Sequence, residues 1–243
     1  MRSLILADVH ANLEALNAVF ADAPSQGGFE EIWCLGDTVG YGPDPSACLE
    51  LIRSYRFRMV AGNHDFAAVN LRTTADFNQD AQASTEWTAG QLSQEEFQFL
   101  AGLPLSTEAD PFTLVHGSLR DPLTEYLLDQ DSARATFALM NNPHCLVGHS
   151  HIPFICREQG GDAEFFEFPC GQPVPMGEER SIINPGGVGQ PRDRDSRPSY
   201  AIYDSEANTI QRHRVTYDIK ETQSKMRRAG LPKFLIDRLD FGY

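Results

Sequence analysis

Apolar positions in the first sixty residues follow two periods in turn. Ser3–Ala7, Ile32–Leu35 and Phe57–Val60 are short, largely apolar runs of strand length. Between them, Leu13, Leu16, Val19 and Phe20 recur at helical spacing, as do Cys48, Leu49 and Ile52. Strand, helix, strand, helix, strand predicts a parallel sheet built from right-handed crossovers. Residues 65–103 read as mostly helical. There Ser93 and Glu96 have capping-box spacing ahead of Phe97, Phe99 and Leu100, and Leu103-Pro104 ends the helix. Strands return at 112–116, 145–149, 152–156, 164–168 and 200–203, with a half-exposed strand at Thr209–Val215. The segment 218–239 predicts helix broken near Gly230-Leu231-Pro232, and 162–177 a variable surface excursion. No internal repeat or low-complexity linker divides the chain. Residues 1–243 therefore read as a single domain, with 65–103 as a candidate cap.

Composition narrows the class. Apolar residues make up 41% and charged residues 22%, as in an ordinary globular chain, which excludes wholesale disorder, collagen-like repeats and a coiled-coil rod. No run of about 18 apolar residues is available to cross a membrane. The first apolar run reaches Asp8 too early for a signal peptide, so a cytoplasmic location is expected. The net charge of −14 opposes binding of duplex nucleic acid but not of a small phosphorylated substrate held by local cations. Only three of the twenty basic residues are lysines, so a phosphate grip here would be arginine. The five cysteines are scattered, with no Cys-x-x-Cys pair, and read as reduced, partly buried small hydrophobes.

The chemistry-bearing residues sit at predicted strand ends, where open α/β sheets bind ligands. They are Asp8 and His10, Gly36-Asp37, Gly62-Asn63-His64-Asp65, His116-Gly117 and Gly148-His149-Ser150-His151. Oxygen and imidazole donors without a nearby thiolate suit Mn²⁺, Fe or Zn²⁺ better than Ca²⁺ or Cu⁺. The Asp-x-His and His-x-His spacings would place alternate side chains on one side of an extended segment, with glycines allowing a sharp turn after each strand. Singly, each block is a common loop feature; together and in this order they are not.

In that order the five blocks resemble those of the calcineurin-like metallophosphoesterase superfamily. The likeness continues through Asn184-Pro-Gly-Gly-Val-Gly-Gln-Pro-Arg192 and Ser199–Tyr203, which look like the closing elements of its small bacterial and archaeal phosphodiesterase branch. The resemblance implies an α/β, four-layer αββα sandwich of two mixed sheets, with a dinuclear metal site at the C-terminal strand edge. It implies that Asp8, His10, Asp37 and His151 hold one divalent ion, and that Asp37, Asn63, His116 and His149 hold a second. Mn²⁺ is the simplest choice, with Fe, Zn²⁺ or Ni²⁺ as alternatives. A metal-bridging hydroxide would attack phosphorus directly. His64 would stabilise the transition state or protonate the leaving oxygen, and Asp65 would orient that imidazole. In one respect the chain departs from the protein phosphatase and dinucleoside-tetraphosphatase branches: no arginine follows Gly36-Asp37.

Arg192, Arg194 and Arg197 are the candidate replacement for that missing arginine, unless Asp193 and Asp195 pair with them on a solvated loop. Tyr41 either borders the substrate or packs a turn. His144 reads as structural, His213 as surface and Trp87 as core. The functions left open are a small-substrate phosphoesterase, more specifically a phosphodiesterase; a nucleotide or dinucleoside polyphosphate hydrolase; and a non-catalytic metal-bound interaction module.

Overall fold

The computed structural model describes all 243 residues. The chain opens with β1 (Arg2–Leu6), α1 (Leu13–Asp22), β2 (Glu31–Cys34), α2 (Pro45–Arg53) and β3 (Phe57–Met59). Three helices follow: α3 (Asn63–Ala68), α4 (Gln79–Ala89) and α5 (Gln94–Ala101). Next come β4 (Ser106–Ala109), β5 (Phe112–Val115), α6 (Gln130–Leu139), β6 (His144–Leu146), β7 (Phe154–Gln159) and β8 (Asp162–Glu167). The chain ends with β9 (Pro173–Pro175), β10 (Ser181–Asn184), β11 (Ser199–Asp204), β12 (Thr209–Arg214), α7 (Ile219–Arg228) and α8 (Lys233–Asp237).

Two six-stranded mixed sheets result, in the orders β3-β2-β1-β11-β12-β9 and β4-β5-β6-β10-β7-β8. The crossover reading of the first sixty residues holds: β1 pairs parallel with β2, and β2 with β3. In the second sheet β5, β6 and β10 are parallel neighbours. Burial on both faces explains why these strands are continuous apolar runs rather than alternating ones. Leu4, Leu6, Ile32 and Cys34 pack with Leu16, Val19, Leu49 and Ile52 of the helices outside the first sheet. Ile5, Trp33 and Leu35 face the other way, toward Phe112, Leu114, Leu146 and Ile183 of the second sheet. Trp33, Phe112 and Tyr203 form an aromatic centre between the sheets, with ring centroids 4.8–5.9 Å apart. On the far side, Ala133 and Phe137 of α6 cover Val115, Cys145, Cys156 and Ile182. The order of layers is therefore helix, sheet, sheet, helix, as the resemblance implied.

The predicted capping box is present, with Ser93 and Glu96 exchanging hydrogen bonds. Asp218 caps α7, and the chain breaks before α8 at Gly230-Leu231-Pro232 as expected. Two expectations are corrected. The 162–177 segment is not a free excursion: it carries β8 at the edge of one sheet and β9 at the edge of the other, with Phe168 and Met176 in the core. His213 is buried and stacks at 5.2 Å on Tyr200, the residue opposite it in the β11–β12 pair. Four cysteines are buried as read, whereas Cys170 is exposed. His144 is buried, bonded to Ser181 Oγ at 2.8 Å. No helix is long and apolar enough to cross a membrane.

Candidate active site

The parallel strands β1, β2, β3, β5 and β6 run on into loops that meet at one rim. Backbone bonds extend the sheet past the strand ends: Asp8 N–H donates to Gly36 O (3.1 Å), His10 N–H to Asp37 O (2.9 Å) and Gly148 N–H to His116 O (2.8 Å). Here the extended-segment reading of the sequence is corrected. Asp8, His10, Asp37, His149 and His151 all have left-handed backbones, with φ between 48° and 62°. Asp and His tolerate this region better than most residues, yet it costs of order 1–3 kcal/mol per residue. Tight left-handed turns, rather than a pleat, bring i and i+2 side chains to one point.

Two groups of donors converge there: Asp8, His10 and His151, and Asp37, His116 and His149. Within each, the donor atoms lie within 4.8 Å of one another. Asn63 Oδ1 joins the second group, 3.0 Å from His116 Nε2. Asp37 Oδ2 lies 3.7 Å from His10 Nε2 and 3.4 Å from His116 Nε2, between the two groups. All seven residues are buried.

The tautomers are set by main-chain carbonyls, which only accept. His10 Nδ1–H donates to Val39 O (3.2 Å), and His151 Nδ1–H donates to Gln190 O (2.6 Å). Their Nε2 lone pairs therefore face each other at 3.2 Å, with Asp8 Oδ1 3.3 Å from His151 Nε2. Burial holds the pKa of both histidines well below the usual value, so no proton bridges them. Asp8 Oδ2 is buried without a hydrogen-bond partner. Lone pairs and a carboxylate crowded in this way repel unless a cation sits among them, and a divalent metal fits the donor set.

The second group is built alike. His116 Nδ1–H donates to Leu35 O (2.8 Å) and His149 Nε2–H to Thr124 O (3.1 Å), leaving His116 Nε2 and His149 Nδ1 3.2 Å apart. Here a proton can take the place of a cation. Burial works against it, but Asp37 draws the His116 pKa up to about 9. Asp8 shows the same frustration: burial, with Asp37 adding to it, drives its carboxyl up to about 7 despite His116. Carbonyl-anchored imidazoles of this kind are typical of metal-ligating histidines.

His64 opens α3 beside this centre. Its ring lies between Tyr41 (centroids 4.3 Å) and Phe77 (4.6 Å), and its buried Nδ1 has no protein partner. Burial lowers its pKa to about 4, so the imidazole is neutral near pH 7. Its backbone N–H donates to Asp37 Oδ1 at 2.8 Å. The expected Asp65–His64 pair does not form. Asp65 instead accepts from the N–H groups of Thr38 (2.9 Å), Val39 (3.1 Å) and Gly62 (3.0 Å), tying the loop after β2 to the start of α3. Gly62 is needed for close approach rather than for a turn. Its φ is −97°, but a Cβ there would lie within 2.7 Å of Asp37 Cγ and closer still to Asp37 Oδ1.

A cavity of about 190 Å³ lies over the two groups. Asp37, Asn63, His64, His149 and His151 form its floor; Tyr41, Arg192 and residues 72–81 are among those at its walls. Of the candidate cap, then, only that short stretch reaches the site, while α5 packs on the first sheet through Leu100. The proposed arginine trio is reduced to one. Arg192 lines the cavity, whereas Arg197 pairs with Asp195 at 2.6 Å, and Arg214 pairs with Asp193 and lies 3.7 Å from the same Asp195 oxygen. Arg194 is exposed and outside the lining. Sequence reading missed Tyr126, stacked on His149 at 4.2 Å and 13°, and the Thr124 carbonyl that orients His149. Both lie on an irregular loop with no strand end to mark them. Arg72 and Phe77 were hidden in a segment legible only as helical.

Known proteins agree with this geometry. The chain is 37% identical over 243 residues to an uncharacterised protein of Methanocaldococcus jannaschii, covering 98% of this chain and 97% of that one. A metallophosphoesterase crystal structure from Sphaerobacter thermophilus superposes with a TM-score of 0.90 at 43% identity, covering 100% of this chain and 99% of that chain. A symmetrical bis(5'-nucleosyl)-tetraphosphatase of Pectobacterium carotovorum is 27% identical over 117 residues, 47% of this chain and 42% of that protein. Residues 1–208 match the calcineurin-like phosphoesterase superfamily domain. The chain belongs to that metal-dependent superfamily, and it is a hydrolase acting on phosphoester bonds.

Proposed function

We propose that this chain hydrolyses a small phosphodiester-type substrate in the cavity above the two donor groups. The observation that carries the reading is the convergence of four carbonyl-anchored imidazoles, two carboxylates and Asn63 beneath a neutral His64 with a free ring nitrogen. Asp8, His10, His151 and Asp37 would hold one divalent ion; Asp37, Asn63, His116 and His149 would hold the other, with Mn²⁺ suited to these donors. When bound, such a pair supplies Lewis acidity and lowers the pKa of water into the neutral range.

The chain's own residues do the rest. Tyr41 and Phe77 hold the His64 ring in place; neutral in the resting site, it would stabilise the transition state through its ring N–H, or protonate the departing oxygen once it has itself taken up a proton. Asp65 fixes the loop that carries Asp37. Arg192 binds phosphate oxygen. A diester is favoured over a monoester because two separate stretches of chain, Arg72–Ala81 and Thr124–Tyr126, line the cavity beyond the donor groups, together with Arg192, and can meet the substituents of the phosphate. The net charge of −14 argues against duplex nucleic acid as substrate.

A second reading, a dinucleoside polyphosphate hydrolase, is favoured by the partial likeness to the Pectobacterium tetraphosphatase. Bis(p-nitrophenyl) phosphate, p-nitrophenyl phosphate and a dinucleoside tetraphosphate, each assayed with Mn²⁺, separate these readings. Faster turnover of the diester supports the first, and preference for the monoester refutes it. Absence of turnover on all three would leave a non-catalytic metal-bound module.

A further inference from the structure

Tyr41 braces the His64 ring, and it does so from a strained backbone. Its φ is 60°, a left-handed conformation that suits glycine and is unusual for a bulky side chain. Gly40 before it has φ 88°, and a Cβ on Gly42 after it would lie 2.3 Å from His10 O. The tyrosine ring meets two imidazoles, with centroids 4.5 Å from His10 and 4.3 Å from His64. Such a conformation costs free energy and persists only where its surroundings leave no alternative.

Those surroundings come from the end of the chain, residues 217–243, which lie outside the matched residues 1–208. Met226 of α7, Leu231, Leu235 and Ile236 of α8 and Leu239 form one buried apolar cluster with Tyr41 and Ala81, and Phe77 packs against it. Thr222, Met226 and Leu239 share with His10, Tyr41 and Gln190 a gap of only about 10 Å³, the size of one water. Polar ties fix the same arrangement. Asn12, two residues beyond His10, accepts from Thr222 Oγ1 (3.0 Å) and donates to Gly189 O (2.9 Å) and Tyr217 Oη (3.3 Å). Lys225 pairs with Glu14 and, at 3.0 Å, with Asp44, three residues beyond Tyr41. Gly242 O accepts from the N–H of Arg194, two residues beyond Arg192, at 2.8 Å. The end of the chain therefore touches the three loops that carry His10, Tyr41 and Arg192.

We propose that residues 217–243 are a positioning element of the active site: α7 and α8 hold Tyr41, and through it His64, in the working geometry, while Gly242 holds the loop that carries Arg192. This rests on the hydrolase site proposed above. None of these residues lines the cavity over the donor groups, so they act through Tyr41 and Arg192. Two kinds of loss follow. Loosening Tyr41 misplaces an imidazole that acts in the transition state and lowers kcat. Loosening the Arg192 loop weakens a phosphate contact made alike by substrate and transition state, and raises KM.

The test combines melting temperature, hydrogen exchange of the metal-free protein, and turnover with Mn²⁺ of diphenyl phosphate, whose phenolate leaves poorly without a proton. Leu239→Ala opens a hole in the cluster around Tyr41; Phe137→Leu opens one in the far-side cluster under α6 and controls for lost stability. Both should melt lower. Leu239→Ala alone should speed backbone exchange in residues 38–44 and lower kcat by about tenfold or more, with KM within about twofold. Leu239→Met, of similar volume, should restore both. In a His64→Gln background, Leu239→Ala should cost nothing further, since the two act through one imidazole. Lys225→Met cuts only the ties to Glu14 and Asp44 and gives the same pattern at about threefold, which keeps the test open if Leu239→Ala unfolds. A chain ending at Asp240 should raise KM by about fivefold or more and leave kcat within about twofold. A kcat no lower than that of Phe137→Leu, unchanged exchange at 38–44, a further loss in the His64→Gln background, or an unchanged KM in the shortened chain would overturn the inference. A wild type that cleaves no diester refutes the hydrolase reading instead, and the exchange rates still decide whether the end of the chain holds Tyr41.

Discussion

Gly62→Ala isolates the position of Asp37 from every change in donor chemistry. Gly62 has φ −97° and ψ 173°, extended backbone open to any residue, so alanine adds no dihedral strain. The added methyl would lie within 2.7 Å of Asp37 Cγ and closer to its Oδ1 and backbone N, nearer than real Cβ contacts come. Asp37 cannot yield easily. Its backbone is left-handed, its Oδ1 accepts from His64 N at 2.8 Å, and its carbonyl accepts from His10 N at 2.9 Å. Restoring an ordinary contact moves the carboxylate by about 1 Å or more, and overpacking of this kind typically costs about 1–3 kcal/mol. At roughly 2–4 °C per kcal/mol for a chain of this size, the melting temperature should fall by about 2–12 °C. A misplacement of about 1 Å at a catalytic centre costs of order 10²-fold in rate. Turnover of bis(p-nitrophenyl) phosphate with Mn²⁺ should fall by at least that much while the protein stays folded. Gly177→Ala, where a Cβ would meet nothing within 4 Å, should change neither quantity. Retention of more than half the wild-type rate by Gly62→Ala would refute the claim that Asp37 is held in one working position.

Other substitutions probe the remaining parts. His64→Gln should keep the bound metal but lower turnover of an alkyl diester by about 10²–10⁴-fold. The deficit should shrink with nitrophenolate as leaving group, and an equal deficit for good and poor leaving groups would remove His64 as the proton donor. Asn63→Ala should weaken one metal equilibrium selectively, whereas Asp37→Asn should weaken both; titration with Mn²⁺ distinguishes the patterns. Asn184→Ala removes the side chain that donates to Gly148 O (2.7 Å) and Ser150 Oγ (3.0 Å) and accepts from Gly186 N (2.8 Å). Each buried group left unpaired costs about 1–3 kcal/mol, so thermal unfolding should shift down by several degrees, and an unchanged midpoint would contradict the role of Asn184 as a tie between the loops.

The residues legible in the sequence were those whose chemistry and placement coincide. Asp8, His10, Asp37, Asn63, His116, His149 and His151 each follow an apolar run, and the run itself announces the strand end. The parallel order of β1, β2 and β3 followed from the alternating periods. Antiparallel β11 and the long-range pairing of β10 with β6 join segments far apart in the chain, and no local pattern encodes them. Spacing alone misjudged how i and i+2 side chains meet, since left-handed turns leave no mark beyond a tolerance for Asp and His. It misjudged Asp65 because a carboxylate after a histidine reads as the imidazole's partner, whereas the loop's free N–H groups bind it first. Arg197 and Asp195 are two residues apart and pair locally, which removes that arginine from the site. Tyr126 is brought to His149 by the irregular path of residues 117–128, where neither period applies.

The most direct test of the account is a crystal structure of the protein grown with Mn²⁺, with anomalous scattering used to locate and count the ions. Two peaks per chain are expected, one against Asp8, His10 and His151, the other against Asn63, His116 and His149, with Asp37 touching both. A single peak at saturating Mn²⁺, or ions bound away from these residues, would contradict the account.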